Sequence, residues 1–244
     1  MGSVAIGLLT LATLLTSILS GVIGMGGGVV LLALMTLVLP LRVIVPIHGM
    51  IQLVSNLSRA SLLAPYIHRH LVLWFALGLP FGAIPAIVVL KSVESEKPFL
   101  VLIVCLIGYA VFKPRSLPQL KLPIWGFWGL GAAVGFLSPL VGATGPFLAP
   151  FFLRDDFTKE EIVASKAAVQ ILGHLLKIPV FLHLGFDYVT YAVPIALMSL
   201  AALIGSKIGI EALKRISADA FKLLFKCALG VAALRLTYKV FIEA

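Results

Sequence analysis

Four polar side chains recur within one otherwise apolar stretch of the chain. Lys166, Gln170, His174 and Lys177 follow one another at spacings of four, four and three residues in KAAVQILGHLLK. Residues three or four apart are neighbours on an α-helix, so the four side chains share one face. Ammonium groups supply positive charge, whereas amide and imidazole groups supply directional hydrogen bonds. The spacing therefore predicts a polar stripe on an apolar helix.

A second stripe lies earlier in the chain, at an offset of 118 residues. The four residues that align with the first set are His48, Gln52, Asn56 and Arg59.

Acidic side chains are missing from both stripes. All ten Asp and Glu residues lie in predicted loops or at the edges of apolar stretches, so no internal carboxylate neutralises Lys166. Charged groups at membrane depth normally face a partner or an aqueous cavity. A cavity lined by cations and amides attracts small anions and disfavours cations. Sodium coupling through carboxylates is therefore disfavoured, while His48 and His174 leave proton coupling open.

Other interpretations of the same residues remain open from sequence. Arg59 and Lys177 lie near predicted span ends, where long cationic side chains often extend to the membrane interface. Lys166 falls in a first helical turn if its helix starts late. Asn56 and His174 suit hydrogen bonds between helices.

Composition places the whole chain in a bilayer. Of 244 residues, 61% are hydrophobic and 12% are charged, against about 25% charged in soluble domains. The mean hydropathy is +1.13, and we predict an all-α polytopic membrane protein. The net charge of +9 is scattered over short loops, so it indicates membrane orientation and no nucleic-acid partner. Cys105 and Cys227 form no disulfide or metal pattern, and we predict that they are packing residues, with no metal or cofactor bound.

The chain also carries an internal duplication. LSGVIGMGGG (19–28) aligns with LSPLVGATGP (137–146) at the offset of 118, and FLVLIVCLIGYA (99–110) aligns with FKLLFKCALGVA (221–232) at 122. Two pairs of matching segments occur in the same order along the chain. They predict two homologous repeats, residues 1–116 and 117–244, within one membrane domain. Many secondary transporters are built from such repeats and bind substrate between them near the midplane.

Each predicted repeat begins with an apolar stretch that glycine interrupts. Residues 4–39 would form a straight helix about 54 Å long, far beyond a hydrocarbon core of about 30 Å. Glycine and proline favour an unwound segment, so we predict glycine-interrupted hairpins over 4–39 and 122–153. Three spanning helices follow in each repeat, at 43–66, 70–90 and 99–112 and then at 162–184, 186–210 and 220–241.

Loop charges favour opposite orientations for the two repeats. With both hairpins returning to their own side, nine Lys and Arg residues fall on one side and five on the other, whereas parallel repeats give six against eight. The excess of positive charge marks the inner side. We therefore predict inverted repeats with both termini outside. The nine residues are Arg69, Lys113, Arg115, Lys121, Arg154, Lys159, Lys214, Arg215 and Lys222; the five are Arg42, Lys91, Lys97, Arg235 and Lys239.

The two glycine motifs resemble a known family. GVIGMGGGVVLLAL is similar to the N-terminal signature of the sulfite exporter TauE/SafE family, also called TSUP, and GATGPFLAPFF followed by VASKAAVQILGHLLK resembles its second-half counterpart. The first motif continues as LALMTLVLP, where members often have an earlier proline, so the bend of the first hairpin is not fixed by the resemblance. The resemblance implies a bacterial-type inner-membrane carrier for sulfite, thiosulfate or small organosulfonates. It places the substrate region at Gly26, Gly27, Gly28, Gly142, Ala143, Thr144 and Gly145, flanked by the two stripes.

These observations favour export of a small sulfur-containing anion by alternating access, with the anion bound at the midplane between the repeats. An anion channel of the same selectivity is an alternative. An intramembrane enzyme is disfavoured because neither H-E-x-x-H nor G-x-S-x-G occurs in the sequence. Partners are the cargo anion and the lipid bilayer, and a homodimer is left open.

Overall fold

The chain folds into α-helices joined by short turns. The computed structural model describes residues 2–24, 26–112, 120–152 and 154–213, together with Arg215, Ser217, Leu234 and Tyr238. Over these residues it is all-helical, as the sequence predicts. The helices are α1 (Ser3–Ile23), α2 (Gly27–Met35), α3 (Leu41–Leu62), α4 (Arg69–Ser92), α5 (Lys97–Phe112), α6 (Phe127–Val141), α7 (Gly145–Phe152), α8 (Lys159–His183) and α9 (Ala192–Leu213), with 3₁₀ turns at Ala64–Tyr66, Ile124–Gly126 and Val189–Tyr191.

Some predicted features lie outside the described residues. These are the helix at 220–241 with Cys227, and the loop cations Lys113, Arg115, Lys214, Lys222, Arg235 and Lys239. Cys105 is described and is exposed on α5, so the prediction that it packs in the interior is wrong.

Within the described ranges, five segments are long and apolar enough to cross a membrane. Helix α3 is not among them because its polar stripe lowers its hydropathy, and α5 has only 16 residues. The chain is therefore a multi-pass membrane protein. The five segments are Ser3–Val22, Arg69–Ser92, Ile124–Val141, Lys159–His183 and Val189–Leu213.

Both glycine-rich stretches break where the sequence predicts a break. After α1, Gly24 and Gly26 have φ values of 71° and 94°, and after α6, Gly142 has a φ of 75°. Side chains with a Cβ rarely adopt this left-handed region, so glycine permits the turn at little cost. New helices then begin at Gly27 and Gly145.

Helix α2 lies back against the helix that precedes it. A Cβ built on Gly27 would collide with the carbonyl oxygen of Thr16 and the hydroxyl of Ser20, both on α1. The chain has therefore reversed its course within a few residues of Gly24. The return of each predicted hairpin to its own side of the membrane stays a prediction.

Two outer helix pairs pack with their backbones almost touching. Helix α1 packs on α9, where a Cβ on Gly21 would lie 2.7 Å from the Cα of Gly209. Helix α4 packs on α6, where a Cβ on Gly131 would meet the carbonyl of Phe75. Small residues let membrane helices approach in this way.

The central pair consists of α3 and α8, which carry the two polar stripes. Helix α3 also contacts α9, and α8 also contacts α4, so the central pair joins the two outer pairs. The carboxylate of Glu96 accepts hydrogen bonds from the backbone N–H groups of Leu41 and Arg42, both at 2.9 Å. A negative charge at a helix N-terminus is favourable, so Glu96 holds the start of α3.

Helix α8 begins with a capping box. The Thr158 hydroxyl accepts from the N–H of Glu161, and the Glu161 carboxylate accepts from the N–H of Thr158 at 2.8 Å. This signal fixes the first residue of α8 at Lys159. Lys166 therefore lies about two turns inside the helix, and its assignment to a first turn is wrong.

Candidate functional site

The two polar stripes meet in the interior because α3 and α8 pack face to face. Lys166 and Lys177 have no exposed surface, and Arg59 is 2% exposed. The alternative in which Arg59 and Lys177 extend to the membrane interface is therefore wrong. His48, Gln52, Asn56 and His174 are also buried.

A small cavity lies between the stripes and the two glycine breaks. Its volume is about 20 Å³, which is room for about one water molecule. A sulfur oxyanion is larger than water, so the cavity is nearly closed in this conformation. The lining residues are Ser20, Gly24, Gly26, Gly28, Val29, His48, Gln52, Arg59, Ala143, Gly145, Gln170 and His174.

Most of the residues that the sequence predicts for the site line this cavity, but six do not. Gly27 packs on α1, and Thr144 is buried at the break before α7. The remaining four hold other site residues or the breaks through hydrogen bonds, as described next: Asn56, Gly142, Lys166 and Lys177.

The two lysines are bonded to the carbonyl oxygens of the glycine breaks. Lys166 Nζ donates to Gly24 O at 3.1 Å, where α1 ends. Lys177 Nζ donates to Gly142 O, where α6 ends, and lies 3.2 Å from His174 Nδ1. Carbonyls at a helix C-terminus carry partial negative charge and suit a cation. The glycine breaks therefore present carbonyl acceptors, which hold the two lysines.

The two histidines face each other across the site. His48 Nε2 lies 2.7 Å from Gly28 O, and the ring centroids of His48 and His174 are 6.1 Å apart. A carbonyl oxygen only accepts hydrogen bonds, so Nε2 of His48 carries the hydrogen. His48 Nδ1 is buried without a hydrogen-bond partner.

Arg59 is held by neighbours on its own helix and on α9. Its Nη2 donates to Asn56 Oδ1 at 2.6 Å and its Nη1 to Ser55 Oγ at 3.0 Å. Ser55 Oγ in turn lies 2.9 Å from Ser206 Oγ on α9. The Nε of Arg59 is buried without a hydrogen-bond partner. The guanidinium is thus fixed in position, and its Nε–H has no acceptor.

No acidic side chain in the described part of the chain pairs with Arg59, Lys166 or Lys177. The recorded ion pairs lie elsewhere, as Glu161 pairs with His68 and Asp156 with Arg154. A buried charge without a counter-charge is costly. The described interior therefore holds basic side chains without acidic partners, and an anion bound there would stabilise their charged forms.

Two glycines leave the space that the cavity occupies. A Cβ on Gly145 would lie 3.7 Å from both Lys166 Nζ and Gln170 Nε2, and a Cβ on Gly28 would lie 3.1 Å from the Gln52 amide. Any side chain at these positions would project towards polar groups of the stripes. Glycine keeps those groups accessible to a small ligand.

Sequence reasoning undervalued three lining residues, which are Ser20, Gly24 and Val29. Ser20 and Gly24 do match Ser138 and Gly142 in the duplicated motif, which was a usable signal. Nothing in the sequence marks Val29 as a lining residue. It reaches the cavity only because α2 turns back on α1.

A second cavity lies at one end of the helices, far larger at about 620 Å³. Arg154, on its wall, donates to both carboxylate oxygens of Asp156, at 2.9 and 2.6 Å. These hydrogen bonds lower the pKa of Asp156 to about 2. The walls of this second cavity also include His68, Arg69, His70, Leu122, Ile124 and Phe157.

The described helices form a polytopic membrane bundle that encloses a small polar cavity without acidic side chains, an arrangement that suits a membrane transporter. The model of the sulfite exporter TauE/SafE family matches residues 9–236. The chain belongs to this family, and it is a membrane transporter and not an enzyme. No curated protein and no solved structure matches the chain.

Proposed function

We propose that the protein moves a small sulfur-containing oxyanion, of the sulfite, thiosulfate or organosulfonate class, across the membrane in the export direction. One observation carries the proposal: buried Arg59 lines the cavity, buried Lys166 and Lys177 hold the carbonyls of the two glycine breaks, and none of the three has a carboxylate partner in the described structure. Membership of the sulfite exporter family supports the choice of sulfur chemistry.

The anion would occupy the cavity between Arg59 on one stripe and Gln170 on the other. Arg59 lines the cavity and its Nε has no hydrogen-bond partner, so the guanidinium would have a donor to offer to an oxyanion. Hydrogen bonds to charged groups are stronger than neutral ones. The amides of Gln52 and Gln170 supply further directional contacts.

The lysines would act from just behind the cavity wall. Lys166 Nζ is close enough to Gly145 that a Cβ there would touch it, and Gly145 lines the cavity. A cation at this distance attracts an anion strongly in a medium of low polarity. Movement of Lys166 from Gly24 O towards the anion would bring the ammonium group into direct contact with it.

Alternating access fits the closed cavity better than a channel does. A channel conducts through a continuous path, whereas this cavity holds about one water molecule. The matching glycine motifs support two repeats, with Gly24 and Gly142 at corresponding positions of the two breaks, and the loop charges favour opposite orientations for them. Rocking of one repeat against the other would open the site to each side in turn.

The excess of loop cations on one side supports an orientation with both termini outside, and the family resemblance implies a bacterial-type inner membrane. On this orientation the cavity with Arg154 lies at the inner surface. Inner-surface cations would raise the local concentration of the anion before it enters.

Transport and binding can be measured separately. Purified protein in lipid nanodiscs should gain thermal stability with sulfite, thiosulfate or an organosulfonate, and gain none with potassium or choline ions paired to an inert anion. Proteoliposomes loaded with unlabelled sulfite should accumulate labelled sulfite by counterflow, and protein-free liposomes should not. Absence of both effects for every sulfur anion would refute the proposal.

A further inference from the structure

The imidazole of His48, which lines the cavity, has one nitrogen without a hydrogen-bond partner. Its Nε2 carries the hydrogen because it lies 2.7 Å from the carbonyl oxygen of Gly28. Its Nδ1 is buried without a hydrogen-bond partner, and the residue lines the cavity. In a neutral ring, Nδ1 is therefore an acceptor with no donor facing it.

The surroundings of His48 include no acidic side chain among the described residues. Arg59 on the same helix, and His174 and Lys177 on α8, are the titratable groups that face it, and none is acidic. The carbonyls of Gly28 and Gly142 also lie beside the ring. A carbonyl cannot donate a hydrogen bond to Nδ1, so neither satisfies that nitrogen.

An oxygen of a fully ionised anion would meet this lone pair unfavourably. Both atoms are acceptors, and two acceptors in contact repel each other in a buried site. One proton placed between Nδ1 and the oxygen removes the repulsion and makes a hydrogen bond. The proton resides either on the anion as a hydroxyl group or on His48 as imidazolium.

We infer that His48 Nδ1 makes the site specific for an oxyanion accompanied by one proton, so that each anion crosses the membrane together with a proton. This inference rests on the proposed function. The proton comes from the water on the side of entry and leaves with the anion on the other side, so no group in the protein changes after one cycle.

His174 does not offer the same arrangement. Its Nδ1 lies 3.2 Å from Lys177 Nζ, so a donor already faces that nitrogen. The two histidines are therefore distinguishable: replacing His48 should change the number of protons bound with the anion, whereas replacing His174 should not.

The test is calorimetry of anion binding to the full chain in nanodiscs, in buffers of different ionisation enthalpy at mildly alkaline pH. The slope of binding enthalpy against buffer enthalpy gives the protons taken up per anion. We expect about one proton for sulfite, and apparent affinity falling about tenfold per pH unit on the alkaline side. Sulfite binding without proton uptake overturns the inference while leaving the proposed function intact; no binding of any sulfur anion refutes the proposed function instead.

Methanesulfonate, which stays ionised, locates the proton. Its binding with about one proton places the proton on His48. Failure of methanesulfonate to bind where sulfite binds places the proton on the anion, and both results support the inference. Tight methanesulfonate binding without proton uptake contradicts it.

His48→Gln retains an N–H for Gly28 O and cannot be protonated, and His174→Gln is its matched control. We expect the proton count to fall towards zero in His48→Gln and to stay near the wild-type value in His174→Gln. If His48→Gln binds no anion, the test depends on His174→Gln alone. A wild-type number of protons per anion in His174→Gln supports His48 as the proton acceptor, and a number near zero overturns the inference.

Discussion

Lys166 donates a hydrogen bond to the carbonyl oxygen of Gly24 across 3.1 Å, although the two residues are 142 positions apart in the chain. This contact joins the middle of α8 to the end of α1. It also holds a fully buried ammonium group beside the cavity with no carboxylate to neutralise it. Removing the charge should therefore affect anion binding more than folding.

Lys166→Met tests this expectation. Loss of a charged partner costs about 1.5–3 kcal/mol, so affinity for sulfite should fall roughly 10- to 100-fold in a nanodisc binding assay. Thermal stability should stay equal or rise, because an apolar side chain of similar length removes a buried charge. Lys207→Met removes an exposed charge on α9 and should bind sulfite as the wild type does. Equal affinities in the two variants would show that Lys166 has no role in binding.

Asn56→Asp places a carboxylate of the same shape against Arg59. The Asn56 oxygen already accepts from Arg59 Nη2 at 2.6 Å, so the new charge would pair with the guanidinium. We expect at least tenfold weaker sulfite binding, since the pair neutralises the cation that faces the cavity. Arg59→Met should produce a similar loss. Unchanged affinity in Asn56→Asp would contradict the claim that an acid-free interior selects anions.

Gly145→Ala adds one methyl group to the cavity wall. The new Cβ would lie 3.7 Å from Lys166 Nζ and from Gln170 Nε2, which is ordinary contact, so the empty protein should fold with unchanged stability. The methyl group would occupy the space between two groups that we assign to the anion. We expect anion affinity to fall by about tenfold or more. The control is Gly129→Ala, whose Cβ meets nothing within 4 Å. Tight anion binding by Gly145→Ala would show that the anion does not bind beside α7.

The glycine breaks should resist substitution for a backbone reason. Gly24→Ala and Gly142→Ala force alanine into the left-handed region, at a cost of about 1–2 kcal/mol. The new Cβ of Gly24→Ala would also lie 2.7 Å from Val163 Cγ2, and that of Gly142→Ala would press on Leu32. Gly185→Ala has the same backbone cost at a φ of 81° with nothing within 4 Å. Unfolding free energies in mixed micelles should fall further for the two break variants than for Gly185→Ala. An equal loss of unfolding free energy in all three variants would mean that the contacts with Val163 and Leu32 add nothing to the backbone cost.

The capping box at the start of α8 gives a prediction about stability alone. Thr158→Ala removes the side-chain acceptor of the Glu161 N–H and should lower the unfolding free energy by about 1 kcal/mol. Glu160→Gln alters an adjacent acid outside the box and should change stability much less. Sulfite affinity should stay at the wild-type value in both variants, because Lys166 lies two turns further along. A large loss of sulfite affinity in Thr158→Ala would show that the capping box also affects the anion site.

The sequence predicted the parts of the site that follow from local rules. Helical spacing predicted both stripes, and glycine conformational freedom predicted the breaks after α1 and α6. The positions of the acids predicted a positive interior, since charge and burial are both visible in composition. The buried states of Arg59 and Lys177 were left open, because a long side chain near a span end has two stable environments.

Contacts that join distant parts of the chain were beyond the sequence. The acceptors of Lys166 and Lys177 are backbone carbonyls, which every residue possesses and which therefore leave no signal. Glu96, which caps α3 from 55 residues away, has the appearance of an ordinary loop acid. The hydroxyl pair of Ser55 and Ser206 spans 151 residues. Such contacts depend on the packing of α1 on α9 and of α4 on α6, and helix periodicity does not encode which helices become partners.

The close approach of Gly21 to Gly209 limits how this protein can change shape. With no side chain between the two backbones, α1 and α9 cannot slide past each other without collision, and the glycine contacts between α4 and α6 impose the same restriction. Under the alternating access that we propose, each outer pair would move as a rigid unit, and the change that admits the anion would fall between the pairs, at α3 and α8. The contacts of Lys166 with Gly24 and of Lys177 with Gly142 tie α8 to one helix of each outer pair, so such a movement would have to break or carry along these two hydrogen bonds.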